Sequence, residues 1–239
     1  MNHMSLKLFL VSIVLLLAGC ATLNEEDCRL GDWYSIGLQD GQQGNKNRAA
    51  QYNKECAEYK VNVDLNEYKK GRTDGLKSYC TYENGVHVGE QNRSYNRVCP
   101  TDLAPEFLAG YQPYHNLASA KAKLREAERH VDNLHASLDD EELSDKQVKK
   151  IKSRIKSAKS SVKRAEGEVN RYEFDLLVHK IDRETQELNH ELASSKVSDV
   201  RRKQISKRLD KLAEKRRYME TMQEADKTIR TLKDIADLF

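Results

Sequence analysis

The chain has 239 residues and carries 41 basic side chains against 38 acidic ones, which gives a formal net charge of +3. So balanced a charge gives no global reason to expect a nucleic-acid partner, and we expect none. Nine of the eleven glycines and nine of the eleven tyrosines lie in residues 31–114, whereas a single glycine and no proline or cysteine follow. This shift in composition predicts a domain boundary near residue 114.

The first feature along the chain is an apolar run that ends at a cysteine. The run covers residues 8–18 and follows Lys7. It is far shorter than the roughly 20 residues of a membrane-spanning helix, so it predicts a signal peptide at residues 1–19. The sequence LAGC at 17–20 resembles the lipobox of bacterial lipoproteins. This resemblance implies cleavage before Cys20 and lipidation of Cys20; the alternative is that Cys20 merely follows an ordinary cleavage site.

The expected lipid would hold the mature chain on a membrane through a short tether, residues 20–27. Ala21 is not the aspartate that commonly retains such lipoproteins at the inner membrane. By the same resemblance, we expect a lipoprotein of the bacterial outer membrane that faces the periplasm.

Four further cysteines follow the tether: Cys28, Cys56, Cys80 and Cys99. An even number of cysteines in one short exported segment predicts two disulfides. A zinc site would show closely spaced cysteine or histidine pairs, and the sequence has none, so we expect no metal and no cofactor. The segment 28–114 is therefore predicted to be a small disulfide-stapled domain.

This domain contains a repeat. YSIGLQDG at 34–41 and YKKGRTDG at 68–75 share the pattern YxxGxxDG, and weaker echoes follow at 82–89 and 107–110. On a helix the glycines of each copy fall on one face, and such faces allow close backbone approach. We expect helices at 33–58 and 67–80 that pair antiparallel through their glycines; hairpins with glycine in the turns are the alternative.

The helical interpretation also favours one pairing of the cysteines. A continuous helix would place Cys28 about 40 Å from Cys56, at about 1.5 Å per residue. An antiparallel helix pair would instead bring Cys28 near Cys80. Of the three possible connectivities we therefore expect Cys28–Cys80 and Cys56–Cys99.

Four segments of this region resemble a known family. CRLGDWYSIGLQDG, YKKGRTDGLKSYC, NGVHVGEQNRSYNRVCP and FLAGY occur in this order. Together they resemble a family of small bacterial lipoproteins catalogued only as a domain of unknown function, over residues 20–115. The resemblance implies no known activity.

Candidate functional residues lie in the same region. Asp40 and Asp74 occupy equivalent places in the repeat and could share acid and base roles in glycan cleavage. The structural alternative, which we favour, is that each aspartate forms a cap, a turn or a salt bridge, for example with Arg48. Aromatic side chains could also line a cleft for a sugar or peptide, although core packing is the more ordinary role. The possible ligand-binding residues are Trp33, Tyr34, Asp40, Tyr68, Asp74 and Tyr79.

Residues 115–239 show helical periodicity throughout. Apolar residues recur at alternating steps of three and four, which is the pattern of a coiled-coil seam. Ser144 and Ser198 have the positions of helix N-caps. We expect three helices near 105–138, 145–193 and 199–237 that fold back and forth as an antiparallel coiled coil, so the whole chain is mainly α.

Charge runs in this arm point to pairing between its helices. Residues 146–164 hold nine basic side chains and no acidic one, which could suggest an anionic lipid or nucleic acid. In an antiparallel hairpin, however, this run would lie beside Glu220, Glu224, Asp226, Asp234 and Asp237. The basic run at 201–217 would likewise lie beside acidic residues at 173–191. We therefore expect cross-helix pairing rather than an external anionic partner.

These features predict a non-enzymatic adaptor or accessory component of an envelope assembly. Its expected partners are the membrane, through the lipid, and a protein or a second copy, through the helices at 145–237. The alternative is a glycan- or peptide-binding lipoprotein, and a hydrolase using Asp40 and Asp74 is a weaker one.

Overall fold

The computed structural model describes residues 23–138 and 143–236, with side chains up to residue 225. Within these residues the chain forms eight α-helices and no strand, which confirms the mainly α fold. Two compact units are present. The first holds the described residues up to Asn84 together with Tyr95–Phe107, and the second holds Gly85–Ser94 and the described residues from Leu108 onward. The helices are α1 Glu25–Leu30, α2 Trp33–Gln42, α3 Ala49–Ala57, α4 Leu65–Tyr79, α5 Tyr82–Glu90, α6 Ala104–Ala136, α7 Asp145–Ala193 and α8 Asp199–Ala236.

The expected continuous helix over 33–58 is two helices, α2 and α3. The chain leaves α2 at Gly44, whose φ of +65° is a left-handed conformation that glycine adopts without steric cost. The backbone N–H of Asn45 donates to the carbonyl of Asp40 at 2.9 Å and closes this turn. After the turn, α3 begins at Ala49, whose N–H donates to the side chain of Asn47. The break at residues 43–48 therefore reverses the chain.

This reversal of the chain determines which cysteines pair. The disulfides join Cys28 to Cys56 and Cys80 to Cys99. The prediction of two disulfides is confirmed. The predicted pairing of Cys28 with Cys80 and of Cys56 with Cys99 is wrong, because it assumed a continuous helix after residue 33 and an antiparallel helix beside it, whereas the chain breaks after α2, and α4 runs parallel to α2. Once the chain turns back at Gly44, α3 returns Cys56 to a Cα–Cα distance of 5.5 Å from Cys28.

The core of the first unit forms around the first disulfide and around a set of aromatic rings. Tyr79 stacks on Phe107 with ring centroids 5.2 Å apart, and Tyr95 contacts the same Phe107 ring at 4.7 Å. Tyr79 directly precedes Cys80 of the second disulfide, and Tyr95 and Phe107 lie on either side of Cys99 in the chain. The cluster around the first disulfide contains Cys28, Trp33, Ala49, Tyr52, Cys56, Val63 and Tyr68.

The three long helices predicted for the arm are confirmed as α6, α7 and α8, with ends within two residues of those expected. The two predicted caps are also present. The backbone N–H of Ser144 donates to Oε1 of Gln147 at 2.9 Å, and Oγ of Ser198 accepts from the backbone N–H of Arg201 at 3.3 Å. These caps satisfy backbone groups that would otherwise lack partners at the start of a helix.

Ion pairs show that α7 and α8 run antiparallel. Arg201 donates two hydrogen bonds to Glu191, both 2.7 Å long, and Arg216 lies 3.0 Å from Asp182. Between them, Nη2 of Arg208 donates to Oε2 of Glu184 at 2.8 Å. The predicted pairing of the basic run at 201–217 with acidic residues of α7 is therefore confirmed. These guanidinium groups lower the pKa of Glu184 and Glu191.

The other predicted charge pairing is not supported by this register. Because α7 and α8 are antiparallel, a residue n positions after Arg216 in α8 lies opposite the residue n positions before Asp182 in α7. Glu220 therefore lies opposite residue 178, and Glu224 lies opposite residue 174. Neither carboxylate therefore lies beside the basic run at 146–164. Glu220 instead pairs with Arg216 of its own helix at 3.2 Å. The side chains of Asp226, Asp234 and Asp237 lie outside the described residues.

The expected signal peptide at 1–19 and the expected lipidation site at Cys20 also lie outside the described residues. Among the helices that are described, none has a sufficiently long apolar stretch to cross a bilayer.

Candidate functional site: the crossing of the two glycine helices

The helices α2 and α4, called here the glycine-helix pair, cross with their backbones in direct contact. A Cβ atom on Gly37 would overlap the carbonyl oxygen of Tyr68, and a Cβ atom on Gly71 would overlap that of Tyr34. One turn later in both helices, Gly41 and Gly75 face each other in the same way. Because the facing positions advance together, α2 and α4 run parallel, and the predicted antiparallel pairing is wrong. All four positions are buried. The glycines of the YxxGxxDG repeat therefore set the distance between the two helices, as the sequence predicted.

The tyrosine and aspartate of the repeat explain the rest of the pattern. The hydroxyl of Tyr34 in the first copy donates to Oδ2 of Asp74 in the second copy at 3.1 Å. The hydroxyl of Tyr68 in the second copy donates to Oδ2 of Asp40 in the first copy at 2.8 Å. Each copy thus supplies the donor for the carboxylate of the other. The glycine-helix pair has an approximate twofold symmetry that the sequence repeat encodes.

The half of the glycine-helix pair that contains Asp40 is closed to solvent. Asp40 is 4% exposed. Its carboxylate accepts from the hydroxyl of Tyr52 at 3.1 Å and from Nδ2 of Asn45 at 2.9 Å, in addition to Tyr68. Nη1 of Arg48 lies 3.6 Å from its other oxygen, which confirms the salt bridge suggested from the sequence. Every one of these neighbours comes from α3, from the turn before it, or from α4.

The half of the glycine-helix pair that contains Asp74 is open to solvent. Tyr34 and Asp74 are only partly buried, and Asp74 accepts from Nζ of Lys77 at 2.8 Å. Nζ of Lys70 lies 5.7 Å from the centre of the Tyr34 ring, a cation–π geometry. The hydrogen bonds from Lys77 and Tyr34 lower the pKa of Asp74. The hydrogen bond that the Tyr34 hydroxyl donates to Asp74 raises the pKa of Tyr34.

The structure separates the six possible ligand-binding residues into two groups. Trp33, Tyr68, Tyr79 and Asp40 are each less than 10% exposed, so they pack in the core and cannot line an open cleft. Only Tyr34 and Asp74 reach the surface. The two aspartates therefore differ in access, and the hydrogen-bonded carboxylate of Asp40 offers no free oxygen to a substrate. Within the described residues, no group of three or more histidine, cysteine or acidic side chains is placed to hold a metal.

Sequence reasoning missed two members of the buried network, Tyr52 and Asn45. Neither belongs to the repeat, and no spacing in the sequence relates them to Asp40. Tyr52 could have been found only by knowing that the chain reverses after α2. Asn45 follows the last repeat glycine of α2 closely, where a side-chain amide often stabilises a turn.

The buried hydroxyl of Tyr68 makes the stability of the domain sensitive to alkaline pH. Burial, helped by the nearby Asp40 carboxylate, raises the pKa of Tyr68 to about 12. Below pH 10 this tyrosine is protonated in both folded and unfolded chains. Above pH 10 the unfolded chain loses the proton while the folded chain keeps it, so the free energy of unfolding falls as pH rises, by up to about 1.4 kcal/mol per pH unit.

We expect Tyr68→Phe to remove this part of the alkaline slope. The measurement is denaturant unfolding between about pH 9 and 11, followed by the fluorescence of Trp33, the only tryptophan of the chain and a buried residue of this unit. Tyr218→Phe is the matched control, because Tyr218 is 63% exposed. Equal alkaline slopes in the two variants would contradict the expected role of Tyr68.

Comparison with curated proteins and with solved structures found no match. Residues 32–115 match the model of a family whose description is "Protein of unknown function (DUF2799)". The matched segment begins at Asp32, the N-cap of α2, and includes the glycine-helix pair and the second disulfide. Residues 32–115 of this chain are therefore similar to this uncharacterised family.

Proposed function

We propose that this chain is a non-enzymatic lipoprotein of the bacterial cell envelope, anchored through Cys20 to the outer membrane and facing the periplasm. The anchor is supported by the lipobox-like LAGC at 17–20. An exported location agrees with the two disulfides, since such bonds persist in oxidising compartments. In this proposal the domain at 32–115 is a rigid head and the long helices form an arm that holds a protein partner.

The observation that carries the proposal is exposed apolar surface on the arm. Tyr218 and Met222 of α8 are 63% and 50% exposed, and Leu177 of α7 is 44% exposed. The register of the Arg216–Asp182 pair places Tyr218 opposite residue 180 and Met222 opposite residue 176. Leu177 therefore lies at the same level of the hairpin as Tyr218 and Met222. These three side chains, called here the arm patch, are where we place the contact with a protein or a second copy.

The arm patch has the chemistry of a helix-binding surface. Tyrosine and methionine are enriched at the centres of protein interfaces, because they bury large surface at modest entropic cost. The patch lies next to the Arg216–Asp182 pair, which joins α8 to α7. A partner helix would thus meet a surface whose backbone is already ordered, which favours binding.

Two experiments test the proposal. Metabolic labelling with palmitate should mark the wild-type protein and not Cys20→Ser, because lipidation needs the Cys20 thiol. A photo-crosslinking amino acid at position 218 or 222 should give a discrete adduct in intact cells, either with a partner or with a second copy.

The same crosslinker at Lys211, which is exposed on α8 outside the arm patch, is the control and should give no such adduct. Unlabelled wild-type protein would contradict the anchor. Equal adducts at positions 211 and 218, or none at 218 and 222, would contradict the arm as a partner surface.

A further inference from the structure

We propose that the first part of α7, residues 146–159, is an electrostatic contact site for an anionic lipid bilayer. This contact would be separate from the proposed acyl anchor and does not depend on it. The segment carries seven basic side chains and no acidic one, and all seven are exposed: Lys146, Lys149, Lys150, Lys152, Arg154, Lys156 and Lys159. We call it the basic segment.

The helix α8, whose arginines pair with acidic residues of α7, ends before most of the basic segment. The Arg208–Glu184 pair places Ala236, the last residue of α8, opposite residue 156, and the Arg216–Asp182 pair places it opposite residue 162. In either register, residues 146–155, which carry five of the seven cations, lie beyond the last residue of α8. In the described part of the chain, none of the seven cations forms an ion pair with a carboxylate.

The neighbouring helix α6 covers only the apolar face of the basic segment. Ile155 and Ala158 are buried against Leu134 of α6, and Ile151 packs against the same cluster. The cations occupy the remaining sides of the helix. Packing therefore fixes which face of the segment is buried and leaves a broad positive surface on the outside.

Acidic residues near the start of α7 reduce this charge only locally. The sequence has four acidic residues at 139–142 and Asp145 in the first turn of α7. Lys152 lies about 10 Å along the helix axis from Asp145. This distance exceeds the screening length of about 8 Å at physiological salt. The positive potential of the segment is therefore carried mainly by the four cations from Lys152 to Lys159.

The composition of the basic segment fits a lipid surface better than a nucleic acid. Six of its seven cations are lysines, which act as point charges and attract anionic headgroups without a fixed geometry. It has no aromatic residue on which bases could stack. Its cations are spread around the exposed sides of the helix rather than lying in a single row. This distribution suits a lipid bilayer, whose anionic headgroups can move laterally to meet the cations.

The test uses the full-length chain with Cys20→Ala, so that no acyl chain can contribute. Sedimentation with phosphatidylcholine vesicles is compared with sedimentation with vesicles that also contain about 30% phosphatidylglycerol. We expect binding to the anionic vesicles to be at least tenfold stronger than to the neutral ones, and to be lost when NaCl is raised from about 0.05 M to about 0.5 M.

Two variants with the same change in net charge locate the site. The first replaces Lys152, Arg154, Lys156 and Lys159 with glutamine and should weaken anionic binding at least tenfold. The second replaces four exposed lysines of α8 with glutamine and should change it less than twofold: Lys203, Lys207, Lys211 and Lys215. Glutamine preserves helix propensity, so both variants should keep the wild-type circular dichroism spectrum.

Three results would overturn the proposal: no preference for anionic vesicles, equal loss in the two variants, or retention of a single-stranded oligonucleotide without retention of the anionic vesicles. Because Cys20 is absent throughout, these results leave the palmitate test of the acyl anchor unaffected.

Discussion

Gly71→Ala should destabilise the first unit by about 3 kcal/mol or more. The new methyl group would overlap the carbonyl of Tyr34, which belongs to the backbone of the facing helix and cannot rotate away. The glycine-helix pair would have to separate, and the hydrogen bonds from Tyr34 to Asp74 and from Tyr68 to Asp40 would lengthen with it. The loss should appear as a lower denaturant midpoint in the fluorescence of Trp33.

Gly167→Ala is the matched control for this substitution. Gly167 lies within α7, and a Cβ atom there would meet nothing within 4 Å. Alanine at this position should therefore stabilise the arm by up to about 1 kcal/mol through helix propensity and leave the Trp33 transition unchanged. If Gly71→Ala unfolds at the wild-type midpoint, the close crossing of α2 and α4 is wrong.

The long helices of the arm could be predicted from the sequence because their information is local. Apolar steps of three and four continue over several turns, and serines at 144 and 198 mark the starts of α7 and α8. The contact between the glycine faces was also predictable, since a row of helical glycines needs a close neighbour to offset its cost. In each case a single periodic pattern in the sequence predicted the helix and also the face of the helix that is buried.

The turn at residues 43–48 could not be predicted in this way. The flanking sequence of α2 and α3 favours helix, and the break depends on one left-handed glycine, Gly44. This single conformation reverses the chain, so missing it led to the wrong disulfide pairing. The wrong disulfide pairing followed from this missed turn and from the predicted antiparallel direction of α2 and α4, whereas the glycine faces that the two helices bury were predicted correctly.

The difference between Asp40 and Asp74 was also outside the reach of the sequence pattern. The two residues occupy identical positions in YxxGxxDG, and the pattern predicts identical roles. Their environments differ because α3 and its preceding turn cover Asp40, whereas Lys77 of α4 pairs with Asp74 near the surface. Burial was set by a segment that the repeat does not contain.

This difference gives the second large prediction. Asp40→Ala should destabilise the first unit by about 3 kcal/mol, because it leaves the buried hydroxyls of Tyr52 and Tyr68 without their shared acceptor. Asp74→Ala removes the equivalent carboxylate from the open half and should cost less than about 1 kcal/mol. Denaturant unfolding followed by Trp33 fluorescence measures both values on the same domain.

A double-mutant cycle separates the buried hydrogen bond from the general effect of substitution. Once Asp40 is alanine, Tyr68→Phe no longer removes a donor from the carboxylate, so its cost should fall. We expect a coupling energy of about 1–2 kcal/mol between Tyr68 and Asp40, and less than about 0.5 kcal/mol between Tyr34 and Asp74, where water can replace the lost partner. Equal coupling in the two pairs would mean that α3 does not exclude water from Asp40, and the repeat would then be symmetric in energy as well as in sequence.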